Sequence, residues 1–111
     1  MPTLRAREDF ARISVKGRSR SDRLLAVRFV PNGRDHDRFG ISTGRRLGGA
    51  VRRNRVRRRV REIVRRSPNH TGHGWDILIV ARQPAVDASY DELRTALERL
   101  LGSIRRSVKP S

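Results

Sequence analysis

A single small α+β domain is the fold class this sequence predicts, and three observations predict it. Two segments, VRRNRVRRRVREIVRR (51–66) and SYDELRTALERLLGSIRR (89–106), repeat apolar residues at helical spacing. Three others, LLAVRFV (24–30), RFGIST (38–43) and WDILIVAR (75–82), are rich in β-formers. Gly, Pro, Ser and Asn cluster between these runs. The order is helix, two or three strands, helix, strand, helix, which layers helices on a small, mostly antiparallel sheet. At 111 residues the chain can build one modest core and not two, so residues 1–111 form one domain, with about 106–111 a frayed basic tail.

Taken in order, Leu4, Phe10 and Ile13, with Ala6 and Ala11 among charged residues, suit a short amphipathic helix that stops before Gly17. KGRSRSDR (16–23) then reads as a loop or an irregular edge strand. LLAVRFV and RFGIST pair as an antiparallel hairpin through a loose connection that begins at Pro31, Asn32 and Gly33 and carries Asp35, His36 and Asp37. Gly44, Gly48 and Gly49 break the pattern around Arg45 and Arg46 and lead into the arginine-rich helix. SPNHTGHG (67–74) stops that helix, and the continuous apolar run ILIVA (77–81) marks a strand buried on both faces. Pro84 ends the strand. Ser89 with Glu92 makes a capping box, after which Leu93, Leu97, Leu100, Leu101 and Ile104 fall on one side of the last helix.

The charge is far from balanced: 27 Lys and Arg face 11 acidic residues, for a net +16. Such a field attracts polyanions. Twenty-five of the 27 are Arg, whose planar fork matches phosphate oxygens and stacks on bases. A genome-wide preference for Arg would account equally for that ratio, but the excess charge still calls for a partner. There are no cysteines, which fits a reducing compartment and excludes disulfides. The N-terminal MPTLRAREDF places charges where a signal peptide needs an apolar run, and nothing approaches the roughly 18 apolar residues of a membrane span. A cytoplasmic protein without a membrane association or an obligate protein partner is expected.

Nine arginines crowd positions 51–66, yet the segment is not a disordered basic arm. At 100° per residue, Val56, Val60, Ile63 and Val64 share one sector about 100° wide, enough to seat a helix on a sheet. The opposite side carries Asn54, Arg58, Arg61 and Arg65, flanked by Arg55, Arg57 and Glu62. Glu62 can pair with Arg58 or Arg66, worth a few tenths of a kcal/mol. Arg53 lies close to the apolar sector, so its side chain must escape past the helix start. One sign this dominant is unlike a solvated face, which normally mixes both. Arg45 and Arg46 extend the same positive surface.

Groups for chemistry on the polypeptide itself are sparse. Asp35, His36 and Asp37 alternate along a loop and need not converge on a metal, and His70 with His73 has no third ligand nearby. No strained nucleophile turn or glycine-rich phosphate loop is present.

GISTGRRLGGAVRRNRVRRRVRE (40–62) resembles the signature of the bacterial ribonuclease P protein family. Arg53, Asn54 and Arg55 match its Arg-Asn-Arg element, Arg57, Arg58 and Arg61 its downstream basic positions, and Arg45 and Arg46 its upstream pair. LRAREDFARI resembles the family's first helix, and DILIVARQPA with SYDELRTALERLL its last strand and helix, so nearly the whole chain is covered. The resemblance implies a protein subunit of an RNA-based endoribonuclease: it binds the catalytic RNA and the 5′ leader of precursor tRNA, while the RNA hydrolyses the phosphodiester with Mg²⁺ that it mainly holds itself. Arg45, Arg46, Arg53, Asn54, Arg55, Arg57, Arg58, Arg61 and Arg65 would then face the catalytic RNA, and Phe10, Ser14 and Arg28 would lie in the leader-binding cleft. It also implies a left-handed βαβ crossover through the arginine helix, against the usual hand.

Three positions depart from the family pattern. Ser14 stands where a second aromatic is usual one helical turn after Phe10, Gly44 replaces a Ser, and Gly49 replaces a polar residue. Phe29 and Phe39 are the remaining candidates for stacking on the leader, alongside Phe10, which on spacing alone could equally be core. The competing class is a structural RNA-binding protein of ribosomal type, which would share charge, size and lack of catalytic groups. A DNA-binding helix-turn-helix would need a short helix directly before the arginine helix, where Gly44 to Gly49 is turn-like. A membrane-surface helix would want Trp, Phe or Leu on an apolar face that carries only Val and Ile.

Overall fold

The computed structural model describes residues 11–13, 17–67 and 74–107, with side chains to residue 104. Residues 11–13 are helical. Then follow β1 (Arg18–Ser21), β2 (Leu25–Pro31), β3 (Arg38–Thr43), a 3₁₀ turn (Arg45–Leu47), α1 (Ala50–Arg66), β4 (Trp75–Ala81), a second 3₁₀ turn (Gln83–Asp87) and α2 (Tyr90–Ser107). The rest of the predicted first helix, His70, His73 and the tail beyond residue 107 lie outside the described residues.

The four strands form one sheet in the order β1-β2-β4-β3, with β2 antiparallel to both β1 and β4 and β3 parallel to β4. The expected β2–β3 hairpin is therefore incorrect. β4 lies between those two strands, and the segment 32–37 bridges two strand spacings, about 10 Å, within reach of an extended chain of that length. The cause is burial. Every residue of β4 except Val80 is buried, and a strand this apolar gains most from the middle of a sheet with both faces covered. KGRSRSDR supplies the edge strand β1.

Strand alternation separates two faces. Leu25, Val27 and Phe29 of β2, Phe39 of β3, and Ile77 and Ile79 of β4 join Val56, Val60, Ile63 and Val64 of α1 and Leu93, Leu97, Leu100, Leu101 and Ile104 of α2 in the main core. Both predicted helical stripes are buried as expected. Phe29 meets Trp75 edge to face at 5.6 Å, and both Phe29 and Phe39 are fully buried, so neither is a base platform. Ser89 and Glu92 close the predicted capping box with reciprocal bonds of 3.1 and 2.9 Å.

Val30 and Leu78 point to the other face, where Ile13 packs on them. The N–H of Gly17 donates to the Ile13 carbonyl at 2.8 Å, and a Cβ at residue 17 would collide with that oxygen. Gly at this position lets the chain leave the helix and turn directly into β1.

Candidate nucleic-acid interface

The arginine helix forms against its own electrostatics. Its sequence sets four Arg–Arg pairs at i, i+4 and three at i, i+3, each costing roughly 0.2–0.5 kcal/mol. Four buried aliphatic side chains oppose them, each worth about 1.5–3 kcal/mol. Packing wins, and the charge remains on the outer face. The N-terminus adds to it: Gly49 offers no capping side chain and the first turn holds no acid, so the positive end of the helix dipole is unopposed. Gly48, at φ 111°, makes the turn between the 3₁₀ segment and α1 in a conformation few other residues adopt.

The nine arginines of α1 then divide by what they touch. Arg53 reaches back along the helix start, as its angular position requires, and donates from Nε to the Thr43 carbonyl at 3.2 Å. Arg57 donates from Nη2 to Thr43 Oγ1 at 2.7 Å and from Nη1 to Asn54 Oδ1 at 3.1 Å. These bonds tie the helix to the end of β3. Arg59 donates to the Ala88 carbonyl at 2.9 Å, tying the same helix to the segment before α2. Glu62 pairs with Arg66 at 2.6 Å and with Arg65 at 3.4 Å rather than with Arg58. Arg52, Arg55, Arg58 and Arg61, with Arg45 and Arg46 of the 3₁₀ turn, are exposed, and their side chains make no hydrogen bond or ion pair among the described residues. Val51, 72% exposed, lies amid them.

The second face of the sheet holds Arg28. It stands opposite Leu78 on one side and Ser19 on the other. Next to this row run Ser21, Ala26, Val80 and Ser42, none of them buried, while the row on the other side is Val30, Asp76 and Arg38. Among the described residues, a strip of small and half-exposed side chains thus runs beside the part that Ile13 covers, with Val80 at their border. Phe10 and Ser14, the other residues expected there, lie outside the described residues.

Asp76 was missed by the sequence reading. Its side chain is fully buried and bonded by Arg38 through Nε at 2.8 Å and Nη2 at 2.7 Å, by Asn32 Nδ2 at 2.9 Å and by Arg12 Nη2. Burial acts to raise its pKa, but the bonds from Arg38 and Asn32 and the charges of Arg38 and Arg12 outweigh it and hold the carboxyl below its ordinary value. The available signal was a lone acid in a strand buried on both faces, since such a charge must be paired.

Asp35, His36 and Asp37 do not converge. His36 Nδ1 lies 2.9 Å from Asp35 Oδ1 at the surface, whereas Asp37 is buried and accepts the Trp75 N–H at 2.9 Å. The described residues gather no group of three or more potential metal ligands, and no described helix is long and apolar enough to cross a membrane.

These features define a class: a small, strongly basic α+β protein that turns an arginine helix outward from a four-stranded mixed sheet. A family model described as Ribonuclease P matches residues 2–105. The chain belongs to the ribonuclease P protein family. It is 40% identical over 99 residues to the ribonuclease P protein component of Roseiflexus castenholzii, covering 88% of this chain and 81% of that one. The solved RNase P protein of Staphylococcus aureus superposes with a TM-score of 0.85 at 35% identity, covering 95% of this chain and 96% of that one. The Thermotoga maritima RNase P protein gives 0.85 at 34% identity, covering 98% and 100%.

Proposed function

We propose that the chain is the protein subunit of a ribonuclease P holoenzyme and binds two RNAs at once. The exposed face of α1 and its 3₁₀ approach take the catalytic RNA, with Arg45, Arg46, Arg55, Arg58, Arg61 and Arg65 as phosphate contacts and Asn54 beside them. Arg53 and Arg57 brace the helix start on Thr43, and the Nη groups of Arg53 stay available to a phosphate. The open strip around Arg28 takes the 5′ leader of precursor tRNA. Hydrolysis belongs to the RNA and to Mg²⁺ that it mainly holds; the polypeptide contributes charge and substrate contacts. Screening of phosphate repulsion lowers the magnesium needed, and leader contacts strengthen substrate binding.

One observation carries this reading: exposed arginines of a single sign, without protein partners, share the surface of a helix that burial forces to form. A polyphosphate relieves the repulsion that packing leaves behind. The test is cleavage of a precursor tRNA with a 5′ leader by a bacterial ribonuclease P RNA at low magnesium, with and without the protein. The mature 5′ end should appear only with the protein. RNA binding with unchanged cleavage would move the structural RNA-binding role to the front.

A further inference from the structure

Three separate segments meet at Asp76, and they differ in what they need it for. Arg38, on β3, grips both carboxylate oxygens with a two-pronged contact. Asn32 also serves its own loop, accepting the Arg34 N–H at 2.8 Å and donating to the His36 carbonyl at 3.2 Å. Both belong to the rim of the sheet. Arg12 does not: it arrives from the helical residues 11–13, which pack on the second face from outside, and its Nη1 also donates to the Pro31 carbonyl at 3.4 Å. Arg38 and Asn32 already bond both oxygens of the carboxylate, so the contact with Arg12 has its main effect on where the 11–13 segment sits.

Among the described residues that segment is held by Arg12, on Asp76 and on the Pro31 carbonyl, and by fully buried Ile13 on Val30 and Leu78. Leu78 lies in the same cross-strand row as Arg28, and the half-exposed strip begins one row further on, at Ala26, Val80 and Ser42, where Val80 still packs against the Ile13 cluster. The two anchors therefore set the edge of the strip. We infer that Asp76 is a positioning residue for substrate: through Arg12 it fixes the wall of the strip in which the 5′ leader lies. This rests on the leader-binding reading above.

The test uses holoenzyme reconstituted with a bacterial ribonuclease P RNA and two precursors, one with a long leader and one with a single-nucleotide leader. With the wild-type protein the long leader must bind more tightly; if it does not, the leader-binding reading itself fails. Arg12→Gln leaves Asp76 bonded to Arg38 and Asn32, and Ile13→Ala leaves every charge in place. Each should lower affinity for the long-leader precursor by about tenfold, since small misplacements carry large losses. Affinity for the short-leader precursor and for the catalytic RNA should be unchanged. A merely structural role would weaken all three together, which overturns the inference. Asp76→Asn separates positioning from direct contact. Positioning predicts the same leader-specific loss, because Arg12 is released. If Arg12 instead touches the leader phosphate, Asp76→Asn leaves long-leader affinity intact or raises it, Ile13→Ala does nothing, and the inference falls.

Discussion

Arg58→Ala and Arg59→Ala should part company, although the two residues are adjacent in the arginine helix. The Arg58 side chain is exposed and bonded to nothing among the described residues, while that of Arg59 donates to the Ala88 carbonyl at 2.9 Å. Each phosphate neutralised adds roughly 0.7–0.9 to the slope of log affinity against log salt. Arg45, Arg46, Arg55, Arg58 and Arg61 together then give a slope of roughly −3.5 to −4.5, with any further contacts adding to it. Arg58→Ala should reduce the slope by about 0.7–0.9 and weaken binding about five- to eightfold at 0.1 M salt relative to 1 M. Its stability should stay within about 0.5 kcal/mol, because Ala is the best helix former and the like-charged neighbours Arg55 and Arg61 are relieved. Arg59→Ala should instead lose about 1 kcal/mol of stability with the hydrogen bond and leave the slope nearly intact. Filter binding to a ribonuclease P RNA across a salt series, alongside urea unfolding, reads both effects. Equal losses of slope in the two variants would mean diffuse charge, and the division of the arginines by their contacts would be wrong.

Other consequences concern stability. Ser89→Ala removes a cap that bonds the Glu92 N–H at 3.1 Å, and urea unfolding should register a loss of about 1 kcal/mol. Leu97→Ala opens a cavity in the main core beneath α2 and should cost about 2–5 kcal/mol in the same assay. For Asp76 the folded pKa lies below the ordinary value of an aspartate carboxyl. Its contribution is therefore fully present above about pH 4 and is lost as pH falls through the folded pKa. The urea midpoint of the wild type should drop more steeply below about pH 4 than that of Asp76→Asn; parallel acid limbs would show that the carboxylate is not held in its charged form.

Local pattern was a good guide wherever one element could be read against one face. The stripes of α1 and α2 and the Ser89–Glu92 box were legible because helical spacing and capping are written within a few residues. Even the division of the arginines had a trace: Arg53, Arg57 and Arg59 sit nearer the apolar sector than Arg58, so their side chains meet the protein first. Strand pairing was not legible in the same way. Leu25–Pro31 and Arg38–Thr43 are consecutive, which suggested a hairpin, but partner choice depends on which strand gains most from the centre, and the apolar run of β4 held that answer. The Asp76 cluster joins residues 38 and 64 positions apart, beyond any periodic signal.

The chain contains no cysteine, so a single introduced one can be labelled cleanly. Val51→Cys places a tethered hydroxyl-radical source within the arginine face without removing an arginine, and Glu98→Cys places one on the exposed side of α2. In complex with a ribonuclease P RNA, the probe at 51 should cut the catalytic RNA at a few defined positions, and the probe at 98 should cut it weakly or not at all. Equal cutting from both, or defined cutting from 98 alone, would contradict the assignment of the arginine helix as the RNA-binding surface.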